Sequence, residues 1–357
     1  MSSNPQITIA LDAMGGDNGI EPNVQGAVIA ANSNPVRIIL VGDKKELKKS
    51  LEGESYPEGS IEIIHASQVI EMDESPRKAI DEKPDASILV ASKLVQEGKA
   101  NALVSAGGTG TVVLAAAKYL SRIRGVRRTA IATVYPTLNE FKKNDHLALM
   151  LDVGANVQCG AEELVQFAIM GAAYVADIRG VNNPTVALLN IGEEANKGGE
   201  KMQNTFQLLK NTPNLNFIGN IEGKDILRGV VDVVVTEGFV GNIVIKTLEG
   251  AARSVRQLSK MAFKARISWK LGLLFLRKGL ILLKEVTDYS EYGGAPLLGF
   301  EKIVIIAHGR SSKKAISNAL KVAGKCVRDD VCEKIGNYIY ELEGQSGLEY
   351  ERLSREL

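Results

Sequence analysis

The sequence predicts an α/β protein: a mostly parallel sheet covered by helices on both faces. Short apolar runs alternate with longer helix-compatible runs along most of the 357 residues. Six of those apolar runs end in glycine together with Asp, Asn, Lys, Glu or His. The clearest of these corners lies in residues 102–120, ALVSAGGTGTVVLAAAKYL. There a buried strand end meets a turn of small residues, and a run suited to a helix follows. Glycines let the backbone turn sharply and approach a ligand closely. The amides that open the helix lack intrahelical partners and sit at the positive end of its dipole. Strand, glycine turn and helix therefore make a candidate anion site, with hydroxyls from Ser105, Thr109 and Thr111.

Taken in order, residues 7–11 form the first apolar strand, which ends in Asp12-Ala13-Met14-Gly15-Gly16-Asp17. A helix is expected over 24–31, a strand over 37–41, a polar helix over 44–51 and a strand over 61–65. Residues 72–84 are polar and hold two prolines, which predicts an exposed loop or lid. A helix over 86–96 leads into the central corner. Strands follow at 129–136, 147–153, 185–190, 216–219, 231–236 and 302–307, with helices at 161–177 and 315–329. In open α/β sheets ligands bind beyond the carboxyl ends of the strands, so the corners are expected to converge on one cleft. The plainer reading of any single corner is ordinary turn chemistry.

Composition bounds the function. The net charge of +1 argues against wholesale nucleic-acid binding. Three cysteines, Cys159, Cys326 and Cys332, are an odd, sparse set that suits a reducing cytoplasm. The first residues carry no basic, apolar leader pattern, and no run is long enough to span a bilayer. One catalytic domain over 1–357 is expected, with a polar tail over 342–357.

The corners in sequence resemble the acyl-ACP:phosphate acyltransferases, the PlsX family of bacterial phospholipid synthesis. The resemblance rests on DAMGGD (12–17), SAGGTG (105–110), LDVGAN (151–156), LVQFAIMG (164–171) and NFIGNIEG (216–223). It continues through VVVTEGFVGNIVIKTLEG (233–250), YGGAPLLG (292–299) and AHG (307–309). Two places depart from the family's usual pattern. Gly108 and Thr111 stand where it has Asn and Ala, and Asn18-Gly19-Ile20 stands where it has His-Ala-Pro.

The resemblance implies attack of inorganic phosphate on the thioester of a long-chain acyl-acyl carrier protein, giving acyl phosphate. It implies a three-layer α/β/α sandwich like the isopropylmalate dehydrogenase and phosphotransacetylase group. It also implies a homodimer, no metal and no cofactor. By the same resemblance the product would pass to a membrane glycerol-3-phosphate acyltransferase of the PlsY type. A phosphotransacetylase-like enzyme of short acyl-CoA, a nicotinamide dehydrogenase and a non-enzymatic membrane scaffold are the alternatives. The first would prefer acetyl-CoA, the second lacks its GxGxxG unit, and the third would turn over no thioester.

Phosphate is itself a nucleophile, which fits a chain with no GxSxG elbow or recognisable Ser-His-Asp set. The candidate catalytic residues are Lys197, Asn242 and His308. Lys197 would add charge to phosphate or to the oxyanion, Asn242 would donate to the oxyanion, and His308 would protonate the leaving thiolate or bind phosphate. Their plainer readings are a solvated loop lysine, a helix N-cap and a structural strand-end histidine. Substrate binding is expected from Asp12, Gly15, Gly16, Asp17, Ser105, Gly107, Thr109, Gly110, Asp152, Asn156, Asn190 and Gly241. Some of these carboxylates would orient backbone or neighbouring cations, since bare acids repel phosphate. Arg122, Arg124, Arg127 and Arg128 are candidates for docking an acidic carrier protein, or else a solvated charged face.

Residues 251–284 carry nine Lys or Arg and no Asp or Glu. Together with Trp269, Leu273, Leu274 and Phe275 they predict a basic amphipathic hairpin, 251–288. It is expected to pair two subunits and touch an anionic membrane, giving a cytoplasmic, peripherally bound protein.

Overall fold

The computed structural model describes residues 6–140, 146–265 and 293–341. The first half of the chain contributes β1 (Ile7–Asp12), α1 (Ile20–Ser33), β2 (Val36–Gly42), α2 (Lys44–Leu51) and β3 (Ile61–His65). It continues with α3 (Pro76–Glu82), α4 (Ser87–Gln96), β4 (Ala102–Ser105) and α5 (Thr109–Tyr119). The second half begins with β5 (Ala130–Pro136), β6 (Leu147–Leu151), α6 (Ala161–Arg179), β7 (Thr185–Leu189), α7 (Gly199–Asn211) and β8 (Asn216–Ile221). A 3-10 turn, Gly223–Arg228, leads to β9 (Val233–Val235) and the long helix α8 (Gly238–Ala265). The chain then returns through β10 (Ala295–Leu298), β11 (Ile303–Ile306) and α9 (Lys313–Arg328). Residues 331–341 are helical.

Local chemistry accounts for several boundaries. Asp43 caps α2 by accepting the amides of Lys45 and Glu46, each at 2.9 Å. Ser312 caps α9 by accepting the Ala315 amide at 3.3 Å. Gly180, at φ 69°, closes α6 in the left-handed conformation.

The strands form one sheet in the order β3-β2-β1-β4-β11-β10-β5-β6-β9-β7-β8. Alternate strand residues divide between two cores. Ile9 and Leu11 join the layer that includes residues of α1, α6 and α9, and Ala10 joins the layer that includes residues of α4 and α5. The chain is thus an α/β sandwich with helices on both faces, as the alternation of elements predicts.

The centre of the sheet departs from a simple parallel array. β10 runs antiparallel to both β11 and β5, and β5 runs antiparallel to β6. The two outer groups, β3-β2-β1-β4-β11 and β6-β9-β7-β8, are internally parallel but point in opposite directions.

Register brings their carboxyl ends together nonetheless. Ile305 pairs with Pro296, Ile131 pairs with Leu297, and Ala132 pairs with Leu151. One step along the β10–β5 register sets Pro296 level with Ala132. Ile305 and Leu151 therefore share a rung, each close to the end of its strand. The half-sheets are staggered so that their corners meet in the middle.

Three expectations need correction. The stretch 72–84 is no plain loop: Pro76 opens α3, whose Ala79 and Ile80 are buried. β10 is an additional strand, too short at APLL to show a period. α8 begins at Gly238, so Asn242 lies inside the helix and is not its N-cap. The hairpin expected over 251–288 is described only as far as residue 265. Trp269, Leu273, Leu274, Phe275 and the tail 342–357 lie outside the described residues.

Candidate active site

Each half of the sheet builds its corner on one buried carboxylate. Asp12, at the end of β1, accepts the Gly15 amide at 3.2 Å and the Ser87 hydroxyl at 2.6 Å on one oxygen. Its other oxygen accepts the Ser105 hydroxyl at 2.7 Å, and Ser105 Oγ in turn accepts the Gly107 amide at 3.0 Å. Burial pushes the Asp12 carboxyl above the ordinary carboxylate range, and the Ser87 and Ser105 hydrogen bonds oppose that push.

In the second half Asp152, fully buried after β6, plays the same part. One oxygen accepts the amides of Ile131, Gly154 and Ala155, each at 3.0 Å. The other accepts the Asn156 amide at 2.7 Å and the Asn156 side chain at 2.9 Å. Asn156 also donates to the Thr129 carbonyl at 2.7 Å. Asp12, Asp152, Asn156 and Ser105 are thus committed to holding loops. The Gly15 and Gly107 amides, expected to face a ligand, are also engaged internally.

Backbone contacts tie the corners together. The Asp17 amide donates to the Gly309 carbonyl at 2.7 Å, and the Arg310 guanidinium lies 3.5 Å from the Asp17 carboxylate. Gly16 takes φ 111°, a conformation that L side chains rarely adopt. On the other side α8 presses against the Asp152 loop. A Cβ on Gly238 would lie 2.2 Å from the Asn156 carbonyl oxygen, and one on Gly241 2.0 Å from that of Asp152. Only glycine permits this approach, and it sets Asn242 over Gly154.

Between the corners opens a cleft of about 480 Å³. The first half contributes Thr109 and Gly110 from the start of α5. The returning chain contributes Ala307, His308, Arg310 and Ser311. The second half contributes Gly154 and Asn242. Ile131, Val134, Val153, Ile245 and Ile306 supply apolar wall. A smaller groove of about 320 Å³ lies against Asn183, Pro184 and Asn216, at the amino ends of β7 and β8. That is the opposite end of these strands from the one where ligands bind in open α/β sheets.

His308 Nδ1 accepts the Arg310 amide at 3.1 Å, so the neutral imidazole carries its proton on Nε2. The first-turn amides of α5 have no intrahelical acceptor. The cleft therefore offers amides, a carboxamide, an imidazole N–H and a guanidinium beside an apolar wall. This set suits an anion joined to an apolar group. Among the described residues no group of three or more His, Cys, Asp or Glu is placed to hold a metal.

Other sequence candidates lie elsewhere. Lys197 sits between β7 and α7, 4.0 Å from the Glu194 carboxylate, and is absent from the cleft wall. Asn190 shapes that loop, donating to the Lys197 carbonyl at 3.2 Å and accepting the Ile191 amide at 2.8 Å. Arg127 pairs with Glu162 at 2.7 Å and Arg128 with Glu163 at 2.8 Å, while Arg122 donates to the Arg127 carbonyl. Of the four candidate docking arginines, Arg124 alone has no ion pair or side-chain hydrogen bond among the described residues.

The sequence reading missed Lys246, Glu249 and Arg253, which also line the cleft. Their spacing from Asn242, at steps of four, three and four, marks one face of a helix.

These loops belong to a recognisable group. A model of the family described as "Fatty acid synthesis protein" matches residues 7–334. The chain belongs to this family. It is 50% identical over 328 residues to the phosphate acyltransferase of Dictyoglomus turgidum, covering 92% of this chain and 96% of that one. It is 47% identical over 329 residues to the phosphate acyltransferase of Moorella thermoacetica, covering 92% and 95%. Among solved structures it is similar to a phosphotransacetylase from Streptococcus pyogenes, with TM-score 0.62 and 18% identity over 92% of this chain and 94% of that one. A branched-chain phosphotransacylase from Enterococcus faecalis gives TM-score 0.53 and 17% identity over 90% and 99%. At these identities the structural likeness shows the fold. The family members' sequences show an acyltransferase.

Two expected outcomes arise here. Gly108 has φ −56°, and a Cβ there would meet only Thr111 Oγ1 at 3.4 Å and Met72 Sδ at 4.0 Å. Gly108→Asn should therefore change stability by less than about 0.5 kcal/mol in urea melts. Cys159 is 5% exposed, and burial among the carboxylates of Asp152, Glu163 and Glu237 pushes its thiol up to about 12. At pH 8 it stays protonated, so iodoacetamide should leave it unlabelled in the folded protein. Rapid labelling would contradict its buried placement.

Proposed function

We propose that the protein transfers a long-chain acyl group from the thioester of acyl carrier protein to inorganic phosphate. The observation that carries this reading is the meeting of Thr109-Gly110, Asn242 and His308 in one cleft. Phosphate binds against the first turn of α5 with Arg310 nearby, and the thioester carbonyl lies toward Asn242. A phosphate oxygen attacks the carbonyl carbon, and the carbonyl oxygen gains charge in the tetrahedral intermediate. Donors already aimed at that oxygen stabilise it. When the intermediate collapses, the C–S bond breaks and the thiolate departs. The Nε2–H of His308 donates a hydrogen bond to the departing sulfur, and the proton lost by hydrogen phosphate neutralises the thiolate. The products are acyl phosphate and free thiol.

The proposal extends to assembly and place of action. On α8, Val255, Leu258 and Met261 are exposed, which supports pairing of two subunits along that helix. The basic composition of 251–284 supports contact with an anionic membrane. Acyl phosphate released there would reach a membrane glycerol-3-phosphate acyltransferase directly. Among the described residues no helix is long and apolar enough to cross a membrane.

The test is to mix purified protein with palmitoyl-acyl carrier protein and phosphate, then trap product with hydroxylamine. Palmitoyl hydroxamate should form faster with enzyme and phosphate together than in the phosphate-free control, which reads the direct reaction of hydroxylamine with the thioester. Efficient use of acetyl-CoA with none of the carrier substrate would favour a short-chain phosphotransacetylase instead.

A further inference from the structure

We infer that the α8 face from Asn242 to Arg253 is the track for the phosphopantetheine arm that carries the acyl thioester, with Arg253 binding its phosphate. This rests on the acyl carrier reading of the cleft. Asn242, Lys246, Glu249 and Arg253 all line the same cleft and follow one another on one helix face. Asn242 and Arg253 stand eleven residues apart, about 16 Å at ~1.5 Å per helical residue. The arm runs about thirteen bonds from phosphorus to sulfur. An extended peptide-like chain covers at most ~3.6 Å per three bonds, so the arm reaches about 15 Å. With the thioester at Asn242, its phosphodiester therefore arrives at Arg253.

The chemistry along the track agrees with the length. Two amide groups separate the sulfur from the phosphate end. Lys246 and Glu249, held together at 2.9 Å, stand between Asn242 and Arg253. The ammonium can donate to an amide carbonyl, and the carboxylate can accept an amide N–H. Arg253 has no ion-pair partner among the described residues. A guanidinium binds a phosphodiester through two parallel hydrogen bonds. Arg253 is exposed on the helix surface, so its replacement leaves the core untouched.

The experiment compares two small thioesters, decanoyl-4′-phosphopantetheine and decanoyl-pantetheine, which differ only in the phosphate. The wild type should favour the first by roughly tenfold or more in kcat/KM, the value of one charge-assisted hydrogen bond. Arg253→Ala should erase that preference by lowering only the phosphorylated substrate's kcat/KM, and Arg253→Lys should restore part of it. Equal use of both by the wild type, or a preference that survives in Arg253→Ala, would overturn the inference. If the wild type turned over palmitoyl-acyl carrier protein with phosphate but neither small thioester, the inference would fall and the acyl-transfer reading stand. If it turned over none of the three, the acyl-transfer reading itself would fall, and this inference with it.

Discussion

Asp152→Ala should destabilise the protein by about 3–4 kcal/mol in urea unfolding. The variant leaves the Ile131, Gly154, Ala155 and Asn156 amides without their acceptor. Hydrogen bonds to a charged group are each worth ~1.5–3 kcal/mol, and water entering the space left by the side chain recovers part of the sum. The loop also forms the surface on which Gly238 and Gly241 of α8 rest. Turnover should therefore fall further than stability alone explains, because Asn242 loses its fixed position. Asp152→Asn retains the shape and half the acceptor capacity, so it should fall between the two. Wild-type stability in Asp152→Ala would mean that these amides find other partners, and the loop would not depend on its carboxylate.

Asn242→Ala should lower kcat by about 10²–10³, the range for loss of one oxyanion donor. The Asn242 carboxamide makes no hydrogen bond among the described residues, so its removal leaves the fold unstrained. Stability should stay within about 0.5 kcal/mol of wild type. His308→Ala should also lower kcat, and the loss should shrink with a thioester whose leaving thiol is more acidic. Such a thiolate departs with less need of a hydrogen-bond donor. Full activity in both variants would leave the backbone amides and Arg310 as the only groups acting on the reaction.

The corners were readable from the chain because glycine beside a polar residue has a backbone reason to end a strand. SAGGTG and DAMGGD both mark strand-to-helix turns in the structure. The direction of the strands was not readable. β10 is four residues long, and nothing in APLL distinguishes an antiparallel insertion from a loop. The meeting of oppositely directed half-sheets depends on its register, a tertiary property. Asp12 and Asp152 looked like ligand contacts because each follows a strand and precedes a glycine turn. Asp152 is held mostly by backbone amides, and Asp12 by the Gly15 amide with the Ser87 and Ser105 hydroxyls. That some carboxylates would orient backbone was expected, but which ones was not marked. Every residue carries an amide, and Ser87 is distant in sequence. The case of Arg127 and Arg128 is similar. Glu162 and Glu163 cancel them from more than thirty residues away, across two elements. Lys246 and Arg253 could have been found. Their spacing from Asn242 is helical, but reading the basic segment as beginning at residue 251 cut that face in two.

The most direct test of the shared cleft follows thiol release from palmitoyl-acyl carrier protein while phosphate is varied, with acyl phosphate measured in the same samples. The account predicts thiol release that saturates with phosphate, one acyl phosphate for each thiol, and negligible release without phosphate. Thiol release at the same rate without phosphate, with free fatty acid as product, would make the protein a thioesterase and contradict it.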